Sequence, residues 1–230
     1  MNIAYALLAG MLPALLWLIF WLREDNLHPE PRSLVAGTFL SGMLVVVVAV
    51  VLEKFAADII TDEKYRYIAW AAIEEVTKFI AVALIALRSK NMDEPVDAMI
   101  YCITAALGFA ALENALFILS PLDTGDITRS IVTGNMRFIG ASLVHIVCSA
   151  SIGFMIGLTF YKNSFFKAVS IIFGVILAVG LHASFNLSII NETVTNTLKV
   201  FGWVWLAVVI LIILFEEVKA VKPKRGAQEA

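Results

Sequence analysis

Charge is scarce in this chain. Only 16% of its 230 residues are Asp, Glu, Lys or Arg, 60% are hydrophobic, and the mean hydropathy is +0.88. Soluble domains carry an apolar share of about 45 to 50%, so the composition excludes a soluble globular protein and indicates a polytopic membrane protein. Cysteine is almost absent: Cys102 and Cys148 both lie inside apolar runs, with no CxxC pair. That excludes a disulfide framework and a zinc ribbon, and leaves both as small packing residues. GxSxG and HExxH are missing, which removes the serine-hydrolase elbow and the zincin helix. No basic patch or finger spacing appears, so nucleic acid is not an expected partner. Low-complexity tracts, linkers and fixed-period repeats are lacking too. Residues 1–218 therefore read as one transmembrane domain and 219–230 as a short basic tail.

What the chain has is long apolar runs. Seven are of spanning length: Ile3 to Leu22, Leu34 to Leu52, Tyr67 to Leu87, Val96 to Leu119, Phe138 to Tyr161, Phe165 to Ile190 and Leu198 to Phe215. About 20 apolar residues cross a bilayer as a helix, and lipid admits only helices or closed barrels. Runs this long exclude barrel strands, so the expected fold is all-α, a bundle of about seven transmembrane helices. The first run lacks a basic leader and an Ala-x-Ala cleavage site and reads as a retained anchor. The stretch Ser120 to Arg137, with Pro121, Gly125 and Gly134, reads as a loop over one mouth of the bundle. Lys and Arg are more numerous between alternate runs and in the tail (Arg23, Arg32, Arg88, Lys90, Lys162, Lys167, Lys219, Lys222, Lys224, Arg225) than on the other side (Lys54, Lys64, Arg66, Arg129, Arg137, Lys199). The positive-inside rule then puts the C-terminus in the cytoplasm and the N-terminus outside.

The third run carries Glu74, Glu75 and Lys78. Each charge at the centre of a spanning helix costs roughly 2.5 to 3.5 kcal/mol, and each Leu, Ile, Phe or Val returns only about 0.3 to 0.6. Intramembrane ionisable groups are retained for function more often than as structural clamps. At 3.6 residues per turn Lys78 lies about 40° from Glu74 and about 60° from Glu75, so it serves one carboxylate or divides itself between them. One acid is left over. Adjacent carboxylates in a low dielectric do not ionise independently, and such a pair suits a general acid or base.

Further polar groups lie in the later runs: Glu113 with Asn114, His145, and His182 with Asn186. Counted from the run ends at 1.5 Å per residue, Glu74, Glu75, Glu113, His145 and His182 all fall about 9 to 12 Å below the same membrane surface. Isolated buried polar residues would scatter in depth. A polar seam through Ser142, His145 and Ser149 is the bland alternative for the fifth run, and Gly153 with Gly157 reads as a close-packing GxxxG. The layer suits two chemistries. Either Glu74 or Glu75 takes a proton from water while an imidazole or Asn186 donates to an oxyanion, or Glu and His hold a divalent metal such as zinc with an open position. In the second case Glu75, Glu113, His145 and His182 are the expected ligands. A proton-coupled transporter or channel using the same groups as a relay is the alternative function, disfavoured by the absence of an inverted repeat.

At these residues the sequence resembles the PrsW family of intramembrane proteases, distant relatives of the CAAX prenyl endopeptidases. The matching pieces are Glu74-Glu75-x-x-Lys78, Gly108-Phe109-Ala110-x-x-Glu113-Asn114, His145 and His182-x-x-x-Asn186, and the likeness runs from Pro29-Glu30-Pro31-Arg32 through Asn186. The resemblance implies hydrolysis of a peptide bond in a membrane-anchored protein, such as an anti-sigma factor cut on its extracytoplasmic side in a bacterial cell membrane. Glu74 and Glu75 would then activate water, Glu113, His145 and His182 would complete the catalytic set, and Lys78, Asn114 and Asn186 would support it. The prenyl endopeptidases carry a histidine where this chain has Glu113. The resemblance leaves open whether the mechanism is glutamic or metal-dependent.

Overall fold

A computed structural model of the chain describes residues 2–24, 28–189 and 194–223. Among these residues there are seven continuous helices and no strands. They are α1 (Asn2–Glu24), α2 (Arg32–Ile59), α3 (Glu63–Ile85), α4 (Asp97–Asp123), α5 (Ile127–Leu158), α6 (Ser164–Ile189) and α7 (Val194–Lys219). Six are long and apolar enough to cross a membrane; α3 is not, because of its charges. Its stripes show how it is accommodated: Val76, Ile80 and Leu84, spaced i, i+4, i+8, are exposed to the surroundings, while Ala71, Glu74, Glu75, Lys78 and Val82 are buried. The charges therefore turn inward and an apolar stripe is left for lipid.

Each helix overruns its apolar run at one end at least, since hydropathy marks hydrocarbon thickness rather than helix length, while α3 and α5 stop at Ile85 and Leu158, short of the expected Leu87 and Tyr161. Between α2 and α3 only residues 60–62 are non-helical, and Asp62 caps α3 by accepting from the Tyr65 amide at 3.2 Å. The expected loop from Ser120 to Arg137 is not one. Pro121 sits inside α4, and the turn is confined to residues 124–126, where Gly125 takes φ +80°. Asp126 then caps α5. A π turn at Arg137–Ala141 interrupts α5. The tail from residue 224 onward lies outside the described residues, as does 190–193 between α6 and α7.

The central helix is α4, packed against α1, α2 and α5. Small residues permit the contact: a Cβ on Gly108 would collide with the Phe39 carbonyl oxygen of α2, and one on Gly153 would meet the Ala98 carbonyl of α4 at 2.6 Å. Trp17 and Trp21 of α1 pack on Trp205 and Phe215 of α7 at centroid distances of 6.0 and 5.5 Å. At the end bearing the α1–α2 connection, Tyr101 donates to Glu30 and His28 pairs with Glu94 at 2.6 Å. The opposite half opens into a cavity of about 780 Å³ bounded by every helix except α1.

Candidate active site

The three glutamates in this half have three different surroundings. Glu75, fully buried, accepts from Lys78 Nζ at 2.5 Å and faces His182 Nδ1 at 2.8 Å through Oε1, and accepts from Ser149 Oγ at 3.1 Å through Oε2. Glu113 Oε2 lies 2.7 Å from His145 Nε2 and 2.6 Å from Arg137 Nη2, the latter an ion pair rather than an aligned hydrogen bond. Glu74 is buried, yet its Oε2 has no hydrogen-bond partner; it stands 3.8 Å from His145 Nδ1 and 3.8 Å from His182 Nε2. Lys78 thus serves Glu75, Arg137 serves Glu113, and Glu74 has no lysine or arginine partner among the described residues. It is the leftover acid.

The hydrogen bonds assign the imidazole protons. Glu113 accepts from the Nε2–H of His145, whose Nδ1 accepts from Lys78 Nζ at 2.9 Å. Glu75 accepts from the Nδ1–H of His182, which leaves the Nε2 lone pair toward Glu74. The two rings lie edge to face, 5.1 Å apart. A carboxylate behind each histidine fixes its tautomer and orientation, as outer-shell acids do in metal sites.

Two groups of side chains bring ligand atoms within 4.8 Å of one another: Glu74, His145 and His182, and Glu75, Cys148 and His182. The first lines the cavity, whereas Glu75 and Cys148 do not. A cation would also relieve the unpartnered Glu74 oxygen, whereas Glu75 already has the Lys78 ammonium. The residues thus fit a divalent metal, with Glu74 in the set. Glu75 and Glu113, of the expected group Glu75, Glu113, His145 and His182, instead bond the imidazole nitrogens opposite those that face Glu74.

All five expected site residues are brought together; of the supporting residues Lys78 bonds Glu75 and His145 directly, while Asn114 and Asn186 stand around them. Asn114 Nδ2 donates to Ser142 Oγ at 2.9 Å and its Oδ1 accepts from Arg137 Nε at 2.5 Å; Asn186 lines the cavity beside His182. The serine seam of α5 is real but belongs to the same network, since Ser149 bonds Glu75. Cys148 is buried and free beside it.

Two cavity residues escape a reading of the sequence. Arg137 counts there as a surface charge; it is instead largely buried, stacked 4.0 Å over Phe117 and placed by the π turn. The clue was Glu113-Asn114, an apolar-run acid in need of a cation. Glu53 follows an apolar run and looks like a loop residue, but α2 carries it into the cavity wall, where its carbonyl accepts from Trp70 Nε1 at 3.0 Å.

Residues 30–215 match the family model described as PrsW family intramembrane metalloprotease. Among curated proteins, Protease PrsW of Clostridioides difficile is 22% identical over 215 residues, 90% of this chain and 85% of that one. Protease PrsW of Shouchella clausii is 24% identical over 186 residues, covering 78% and 80%. Protease PrsW of Geobacillus kaustophilus is 30% identical over 115 residues, about half of each chain at 49% and 51%. No solved structure matches. With the family model covering most of its length, including every residue of the buried constellation, the chain belongs to the PrsW family of intramembrane proteases.

Proposed function

We propose that this protein is a metal-assisted endopeptidase that hydrolyses a peptide bond of a membrane-anchored protein, with Glu74, His145 and His182 as its reactive centre. The observation that carries the reading is the buried, unpartnered Glu74 oxygen facing two oriented imidazoles across a cavity. Glu74, His145 and His182 would hold the cation, zinc being the class this donor set suits. When bound, such an ion supplies Lewis acidity to the scissile carbonyl and to the attacking water.

The chain's own residues do the rest. Glu74, through the carboxylate oxygen not engaged by the cation, would accept the proton of the attacking water and return it to the amine nitrogen as the C–N bond breaks. Glu75 and Glu113 keep His182 and His145 in their tautomers. Asn186, one turn beyond His182, supplies an amide donor to the carbonyl oxygen. Val46, Phe109, Val144 and Phe185 make the cavity wall apolar, suiting a segment drawn from lipid.

The excess of Lys and Arg around the C-terminal side supports an exterior N-terminus and a cytoplasmic tail. In that orientation the cavity faces the outer half of the membrane, which favours an extracytoplasmic first cut, as of an anti-sigma factor. The test is purified protein in proteoliposomes with a tagged single-span anti-sigma factor from the same cell. Cleavage that stops on chelation and returns with zinc is expected; cleavage indifferent to chelation would leave a metal-free glutamic mechanism.

A further inference from the structure

The nitrogen of His145 that faces Glu74 is already in use. An imidazole nitrogen has one lone pair, and that of His145 Nδ1 accepts from Lys78 Nζ at 2.9 Å. The other nitrogen is committed to Glu113 at 2.7 Å. An ion held jointly by Glu74 and His145 must therefore take Nδ1 away from Lys78. Nor is the lysine free to leave for water: it is 1% exposed, and its ammonium lies 4.7 Å from the centre of the Phe109 ring. Its remaining partner is Glu75 Oε1, at 2.5 Å.

We infer that Lys78 is a resident cation that competes with the metal for His145, so that it sets how tightly the centre loads. The inference rests on the metal-assisted reading above. Lys78 is then a positioning residue with two states: bridging Glu75 and His145 before loading, and withdrawn onto Glu75 afterwards. Lysine suits this role, because its four-carbon stem lets a compact charge shift without moving the helix. The same ammonium neutralises Glu75 throughout, which also disfavours a second ion at Glu75, Cys148 and His182. Most residues beside a metal centre strengthen binding; this one should weaken it.

The test is zinc affinity, measured by competition with a chromophoric chelator on detergent-purified protein and read without reference to cleavage. Lys78→Met alone would leave Glu75 free to bind the ion, so the comparison is Glu75→Gln/Lys78→Met against Glu75→Gln. These differ only in the lysine, and Gln can still accept from His182. The double variant should bind zinc about tenfold or more tightly than the single one, the range over which neighbours tune metal affinity. Equal or weaker binding overturns the inference. If Glu75→Gln fails to fold with its stranded ammonium, wild type replaces it as the reference, with the same direction expected. Wild type and double variant both binding no zinc would instead overturn the metal-assisted reading, and this inference with it.

Discussion

Glu113 Oε2 stands 2.7 Å from Nε2 of His145, on the side of the ring away from Glu74. The contact commits Nε2 and leaves Nδ1 as the nitrogen on the Glu74 side, and Arg137 pairs with Glu113 at 2.6 Å. Three side chains from α4 and α5, Arg137, Glu113 and His145, thus follow one another along the cavity wall.

That chain gives a prediction for Arg137. Arg137→Met should lower kcat about 10- to 100-fold, the usual cost of losing an outer partner, with KM little changed. Arg137→Lys should recover part of it, since Lys keeps the charge but not the fork. Steady-state kinetics on a single-span substrate separates this from an effect on substrate binding, which would raise KM instead.

The adjacent glutamates should respond in opposite ways. Glu74→Gln removes a charge that has no lysine or arginine partner, so cleavage should vanish while stability stays within about 1 kcal/mol. Glu75→Gln strands the Lys78 ammonium in the interior, for which about 3 to 5 kcal/mol of destabilisation is the scale. Thermal melts of the two variants in one detergent check the contrast; equal melting temperatures would refute the assignment of Lys78 to Glu75.

His145→Ala and His182→Ala should each abolish cleavage and weaken zinc binding, yet differ in what they disturb. Removing His182 takes a partner from Glu75, and removing His145 takes one from both Glu113 and Lys78. Both should insert and fold, as a protease-accessibility assay on membranes would report. Full activity in either variant contradicts the site.

Packing at the α2–α4 crossing is a separate matter. Gly108→Ala places a methyl group against the Phe39 backbone, which cannot move aside as a side chain would. A loss of at least about 1 to 3 kcal/mol follows from overpacking of this kind, together with reduced activity because α4 carries Glu113. Gly180→Ala, where nothing lies within 4 Å of the added carbon, should be silent in the same melting assay.

Much of this was legible in the residues themselves. Seven apolar runs became seven helices, and Glu74, Glu75, Glu113, His145 and His182 could be placed in one layer because helical rise converts sequence position into depth. Rotation was not legible. Glu74 and Glu75 are neighbours about 100° apart on one helix, and which of them meets lysine and which meets open cavity depends on how α5 and α6 lie against α3. The π turn that brings Arg137 inward has no hydropathy signature, and so an arginine at the end of an apolar run looked like a surface charge. Helix ends were misplaced for the same reason as Glu53: polar residues continue a helix beyond the hydrocarbon without altering its backbone bonds.

The most direct test of the centre is zinc K-edge X-ray absorption on protein loaded with one equivalent of zinc. Glu74, His145 and His182 predict a shell of nitrogen and oxygen only, at about 2.0 to 2.2 Å, with two imidazoles resolved in the outer scattering. A sulfur scatterer at about 2.3 Å would place the ion with Cys148 and Glu75 instead, and would contradict the account.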